Sequence, residues 1–192
     1  MRGFEQIPWL YDAGMALYEA LGLRRWRRWL VSGARGRVLE VGCGTGRNLP
    51  LYPEGTRVIG VDVSPDVLRA ARARAPTVPL VRASAEALPF RDGSFDVAVS
   101  GLVFCSVPDP ARGLAEVRRV LVPGGTLRML EHVRSLNPLG RKAQALVAPI
   151  WLRLSGGCHL ERDTEANVEA AGFTVEERRA KGTMRRLSAR KG

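Results

Sequence analysis

Residues 38 to 46 read Val-Leu-Glu-Val-Gly-Cys-Gly-Thr-Gly, a carboxylate on an apolar run that breaks into three alternating glycines, Gly42, Gly44 and Gly46. Glycine removes the side chain where a backbone must turn tightly and approach a ligand, and a helix opening after such a loop aims free N–H groups at it. Twenty residues beyond Gly42 a second apolar run, Val58-Ile-Gly-Val-Asp62, also ends in a carboxylate, where a nucleotide site clamps ribose hydroxyls. A glycine loop alone would equally suit a structural turn; the acid-ended second strand is what makes a ligand site of it. The spacing is G-x-G-x-G and not the G-x-G-x-x-G of a dinucleotide site, and Glu40 stands where it can meet an ammonium group. The pattern favours a ligand with an amino-acid end and a nucleoside end over a nicotinamide dinucleotide.

The elements that must position these groups alternate. After about thirty helical residues the sequence predicts strands at Arg37 to Val41, Arg57 to Asp62, Leu80 to Ala83, Phe95 to Ser100, Thr126 to Glu131, Thr174 to Arg179 and Met184 to Ala189, with helices between them. Alternation of this kind implies an α/β fold with a mostly parallel sheet covered on both faces. Pro65 after Ser64 starts a helix that buries Val67, Leu68 and Ala71 and ends before Pro76. A second helix, Pro110 to Leu121, buries Leu114, Val117, Val120 and Leu121, and Pro123-Gly124-Gly125 turns the chain into the next strand. From Val133 to Glu161 the alternation lapses around an apolar helical piece, Ala145 to Leu154. An insertion there lies over the carboxyl ends of the strands, where open α/β sheets bind ligands, and is a candidate substrate lid.

Size and charge set further bounds. The 192 residues, 45% hydrophobic and 26% charged, fit one domain over residues 1–192, with a helical cap over 1–34 and the lid over 133–161. No apolar run approaches a membrane span and the start lacks a signal peptide's apolar region, which implies a cytoplasmic protein. Cys43, Cys105 and Cys158 form no C-x-x-C pair, and with only His132 and His159 beside them no metal is expected; reduced thiols are. The net charge of +11 is almost wholly arginine. Its densest run, Leu23-Arg-Arg-Trp-Arg-Arg-Trp-Leu30, admits two readings: a helix resting on phospholipid headgroups through Arg24 to Arg28, or one packed by its tryptophans with a solvated arginine face.

The glycine loop, Asp62, Ala85-Glu-Ala-Leu-Pro-Phe90, Phe95-Asp-Val-Ala-Val99 and Glu116-Val-Arg-Arg-Val-Leu-Val-Pro-Gly-Gly125 together resemble the class I S-adenosylmethionine-dependent methyltransferases, in the manner of the ubiquinone and menaquinone C-methyltransferases, from about Arg35 onward. Leu102-Val-Phe-Cys-Ser-Val107, Glu131-His-Val133 and Gly157-Cys-His-Leu-Glu-Arg162 resemble the methyltransferase-like thiol S-methyltransferases. The resemblance implies a Rossmann-like seven-stranded sheet in the order 3-2-1-4-5-7-6, the last strand antiparallel. It implies a cofactor site of Glu40, Gly42, Cys43, Gly44, Gly46 and Asn48 at the methionine end. Asp62 would hold the ribose diol, Val63 would pack on adenine, and Ala85, Ser100 and Leu102 would complete the lining. Relatives carry Asp at the end of the third strand for the adenine amino group; here Ser84, or the nearby Glu86, takes that place.

Methyl transfer from a sulfonium is an in-line displacement in which positive charge disappears, so the protein mostly supplies alignment and a dry pocket. A thiol acceptor is partly ionised at neutral pH and needs little assistance, whereas a neutral carbon acceptor needs a base. His132, directly after the fifth strand, is the candidate base or acceptor-orienting group, or else caps the strand. Cys158 and His159, with Arg162 and Asp163, make a polar lip or a structural turn, and Cys105 lines the pocket. The expected function is methyl transfer to a small molecule, a thiol or a quinone precursor. A phospholipid or RNA acceptor, or a non-catalytic S-adenosylmethionine-binding module, are the other readings. RNA is disfavoured because the fourth strand ends Ser100-Gly101-Leu102-Val103, without the Asn/Asp-Pro-Pro-aromatic motif that holds a base amine.

Overall fold

The computed structural model describes residues 7–155 and 157–192. The first six residues of the expected cap and Gly156 of the expected insertion lie outside the described residues. Seven strands form one sheet in the order β3-β2-β1-β4-β5-β7-β6: β1 Arg37–Val41, β2 Arg57–Asp62, β3 Leu80–Arg82, β4 Phe95–Gly101, β5 Leu121–His132, β6 Phe173–Lys181 and β7 Met184–Lys191. Strands β3 to β5 run parallel through β2, β1 and β4, and β7 pairs antiparallel with both β5 and β6. The near-continuous apolar runs follow from this, since a parallel strand buried on both faces has no polar side.

Helices cover both faces. On one, Leu114, Val117 and Val120 of α4 (Pro110–Val120) and Val168 of α6 (Thr164–Ala170) pack on Leu39, Ala98, Leu127 and Met129. On the other, Ala71 of α3 (Pro65–Arg74) and Leu30 of α2 (Arg24–Ser32) pack on Val38, Val97, Val99 and Leu130. Helix α1 (Pro8–Tyr18) leads into α2 through a π-helical turn, Glu19–Leu23, that kinks at Gly22, whose φ of 117° belongs to glycine. Helix α5 (Pro138–Ser155) fills much of the stretch between β5 and α6.

Several expectations need correction. No full helix follows the glycine loop: only a 3-10 turn, Leu49–Leu51, forms, because Pro50 suits a first turn while Pro53 forces Tyr52 into the extended region at ψ 143°. No helix links β3 to β4; that segment turns back on itself through a bridge between Ser84 and Ala87. Pro123-Gly124-Gly125 does not precede the fifth strand but lies within it. Leu121 pairs with Phe95 and Thr126 with Val97, and the residues between bulge out, Gly124 taking a φ of 71°. The apolar helical piece expected from Ala145 to Leu154 is the second half of α5.

Candidate active site

Parallel register sets Val41 beside both Val61 and Ser100, so β1, β2 and β4 deliver Glu40, Asp62 and Ser100 to one end of the sheet. Glu40 is fully buried: Oε1 accepts from Asn48 Nδ2 at 2.8 Å, and the buried Tyr52 hydroxyl stands beside the same carboxyl. Burial pushes its carboxyl up to about 7 despite the Asn48 bond. Asn48 in turn accepts from Arg27 Nη1 at 2.9 Å, and Arg27 Nε lies 3.1 Å from Glu19. Asp62 accepts from the backbone N–H of Gly44 (2.9 Å) and Ser64 (3.0 Å), and burial raises its carboxyl. The glycines differ in why they are glycine. A Cβ on Gly42 would lie 2.4 Å from Val103, and one on Gly46 3.0 Å from Ala71 of α3, whereas one on Gly44 would meet nothing within 4 Å. Gly42 and Gly46 serve packing; Gly44 keeps open space. Cys43 is buried, donates its N–H to Val61, and has its thiol pushed up by burial and by the Glu40 and Asp62 charges.

Helix α1 lies against the loop. Asp12 Oδ1 takes the Thr45 hydroxyl (2.8 Å) and Arg47 (3.0 Å), its Oδ2 takes Arg74 (2.6 Å), and Glu19 takes Arg47. The arginine bonds outweigh the burial cost and hold Asp12's carboxyl below its usual range. Sequence reasoning missed this clamp, which joins residues far apart in the chain. It also assigned Arg27 to a solvated run. Arg27 is buried, and its position on one face with Leu23, Leu30 and Val31 was the available signal. Arg24, Arg25 and Arg28 are exposed. Trp26 and Trp29 are half-buried beneath Arg186 and Arg128, with Arg128 4.2 Å from the Trp29 ring, so the tryptophans pack inward.

A second buried carboxylate, Glu131, organises the end of β4. Leu102 there takes a φ of 63°, in the left-handed region, and donates its N–H to Leu130 at 2.7 Å. The next three backbone N–H groups go to Glu131: Val103 (3.0 Å) and Phe104 (3.1 Å) to Oε1, Cys105 (3.3 Å) to Oε2. The Ser100 hydroxyl gives the carboxylate a fourth bond, the third on Oε1. Burial pushes the Glu131 carboxyl up to about 7 against these bonds. The sequence signal was an acid inside the apolar run of β5.

The same loop is stitched to the segment after α5. His159 N–H donates to Cys105 O at 2.8 Å, Arg162 donates to Phe104 O and Val107 O, and Cys158 N–H donates to Ser155 Oγ. The Cys105 and Cys158 thiols lie close enough to act on one another, which raises Cys105 and lowers Cys158, and the Trp151 indole lowers Cys158 further. The structure thus brings Cys105 and Cys158 together, while the His159 side chain is exposed.

His132 faces the opposite side of the sheet from Glu131, with Leu130. Its Nε2 bonds the Thr183 hydroxyl at 2.8 Å, its Nδ1 is buried without a partner, and burial holds its pKa low. The Ser84 hydroxyl accepts from Glu86 N–H at 3.1 Å, and Glu86 Oε1 takes Asp109 N–H at 2.7 Å. Ala85 is half-buried against the core, and Val63 is 64% exposed, apolar surface beside Asp62.

A family model described as a methyltransferase domain matches residues 39–129, which span the glycine loop, Asp62 and β4. The chain carries a methyltransferase domain over these residues. S-adenosylmethionine is the cofactor of this domain, and two observations fit it: a buried carboxylate, Glu40, with no cation hydrogen-bonded to it among the described residues, and the open space over Gly44. The chain is 40% identical over 156 residues to the human thiol S-methyltransferase TMT1B, covering 75% of this chain and 63% of that protein. It is 34% identical over 133 residues to the demethylmenaquinone methyltransferase of Renibacterium salmoninarum, covering 67% and 56%. The chain therefore spans less than two thirds of the length of these curated relatives. Among solved structures, an S-adenosylmethionine-dependent methyltransferase of Thermotoga maritima is similar with a TM-score of 0.78 and 25% identity, covering 98% of each chain.

Among the described residues no group of His, Cys, Asp and Glu stands close enough to hold a metal ion, and no helix is long and apolar enough to cross a membrane.

Proposed function

We propose that this protein transfers a methyl group from S-adenosylmethionine to a small-molecule acceptor, a thiol in preference to a quinone precursor. The observation that carries the reading is the convergence of the buried Glu40 carboxyl, the open Gly44 cradle and Asp62 on neighbouring strand ends. Glu40 would take the ammonium group of the cofactor, Asp62 the ribose diol, and Val63 the adenine face, with Asn48 and Arg27 fixing Glu40. When bound, the cofactor supplies an electrophilic methyl group on a positively charged sulfur.

The chain's own task is then alignment and exclusion of water. Glu131 fixes the backbone of residues 103–105, and Cys105 there would line the acceptor pocket. The cap expected over 1–34 is held to the loop by Asp12 and the lid expected over 133–161 to the segment after β4 by His159 N–H on Cys105 O. Burial keeps His132 neutral and its Nε2 bonds Thr183, so it would serve as a weak base only to an acceptor that reaches the buried Nδ1 from its own face of the sheet. A base this weak suits a thiol, whose ordinary pKa of about 8.5 lies close to working pH, better than a carbon acid. The thiol specificity of the human relative, by its name, points the same way. Three free cysteines go with a reducing, cytoplasmic setting.

The test is product formation from labelled S-adenosylmethionine with small alkyl thiols, with quinone-precursor, phospholipid and RNA acceptors in parallel. Methylated thiol is the expected product. Cofactor binding with methylation of none of the thiols would refute the acceptor assignment, and no cofactor binding at millimolar concentration would refute the reading as a whole.

A further inference from the structure

Helix α5 is anchored on one face by polar contacts, and its other, apolar face meets no partner among the described residues. Its inner face is anchored: Gln144 accepts from Ser135 N–H at 2.7 Å and donates to Val133 O and Leu160 O, and Ser155 is buried. Its outer face carries Leu139, Leu146, Val147, Ile150 and Leu154, with exposures of 77, 83, 50, 61 and 59%. At 3.6 residues per turn these five fall within an arc of about 100°, a continuous stripe along a helix of 18 residues. Lone exposed leucines are ordinary, but a contiguous stripe of this kind marks an interaction surface.

Charge decides the occupant. The helix carries Arg141, Lys142 and Arg153, all exposed, and no acidic residue. Lys142 and Arg153 lie along one rim of the stripe. A second copy packed by two-fold symmetry would place these cations against their own counterparts with nothing acidic on the helix to oppose them. An apolar stripe rimmed by cations is the pattern of a helix lying in a bilayer interface. We propose that α5 seats the protein on an anionic lipid surface, with Leu139, Leu146, Ile150 and Leu154 in the acyl boundary and Lys142 and Arg153 among the phosphates. The helix begins six residues after His132, so the surface would bring lipid-dissolved molecules close to the end of β5. The inference stands on α5 alone and does not depend on the methyl-transfer reading.

Co-sedimentation of the full chain with vesicles tests it, comparing phosphatidylcholine alone with an equal mixture of phosphatidylcholine and phosphatidylglycerol. Binding to the mixed vesicles that weakens with salt is expected. Leu146→Glu combined with Ile150→Glu lies on the exposed face and should keep the native circular dichroism while losing about a hundredfold in binding. Lys142→Glu with Arg153→Glu should lose at least about thirtyfold, a factor of roughly five for each cation removed. Absence of vesicle binding by the unaltered chain overturns the proposal. So does binding that survives the α5 changes but is lost with Arg24→Glu and Arg28→Glu, which would assign the contact to α2. A stripe variant that alters only the oligomeric state would assign the stripe to a second copy.

Discussion

Replacing Glu131 by glutamine separates its two properties, acceptor and charge, and the outcome depends on pH in a direction the structure fixes. Oε1 serves Ser100, Val103 and Phe104, and Oε2 serves Cys105 alone. A glutamine with its carbonyl at the Oε1 position keeps three of the four bonds and sets one N–H against the Cys105 N–H, costing about 1–3 kcal/mol for the buried donor. Burial raises the Glu131 carboxyl from 4.5 to about 7, so between those values the folded chain holds a proton that the unfolded chain has released. Its contribution to stability is full below about pH 4.5 and is lost as pH rises through about 7, a change of roughly 3 kcal/mol.

Glutamine has no such titration. Glu131→Gln should therefore destabilise the protein by about 1–3 kcal/mol near pH 5 and by little or nothing near pH 8. Thermal melts of both proteins across that range measure it, about 2–4 °C per kcal/mol for a chain of this size. Groups out of reach of the Glu131 charge titrate alike in both proteins and cancel in the difference, and replacing Cys158 by serine in both removes the thiol that does not. A penalty that stays constant or grows toward high pH would show that Glu131 is ionised at ordinary cost, and the account of the β4 loop would fall.

Asp62→Ala should weaken S-adenosylmethionine binding by roughly 1–3 kcal/mol in a calorimetric titration, and unchanged affinity would refute the ribose assignment. Gly44→Ala should fold with only the cost of a left-handed alanine, about 1 kcal/mol, yet bind cofactor poorly because its Cβ enters the open space. Gly42→Ala should instead lose stability against Val103, 2.4 Å from the new Cβ, and equal melting temperatures for the two variants would contradict this division. His132→Ala should lower turnover with cofactor affinity preserved, whereas equal turnover would remove the imidazole from the chemistry.

The sequence by itself determined the α/β alternation, the strand order through resemblance, and the place of the glycine loop and Asp62. These rest on local signals: apolar periodicity, proline and glycine at fixed offsets, a carboxylate at a strand end. Local signals also misled where a competing local term was stronger, as when Pro50 and Pro53 cut the helix after the loop to one 3-10 turn. The tertiary structure decided the rest. Glu131 and Arg27 acquire roles only when β4 lies beside β5 and α2 beside the loop, through bonds spanning 26 to 28 residues for the Glu131 backbone contacts and 21 for Arg27. Asp12 meets Arg74 across 62. Helix α5 carries the same lesson in reverse: periodicity reports that a stripe is apolar, but only its neighbours in space decide whether it faces a core or solvent.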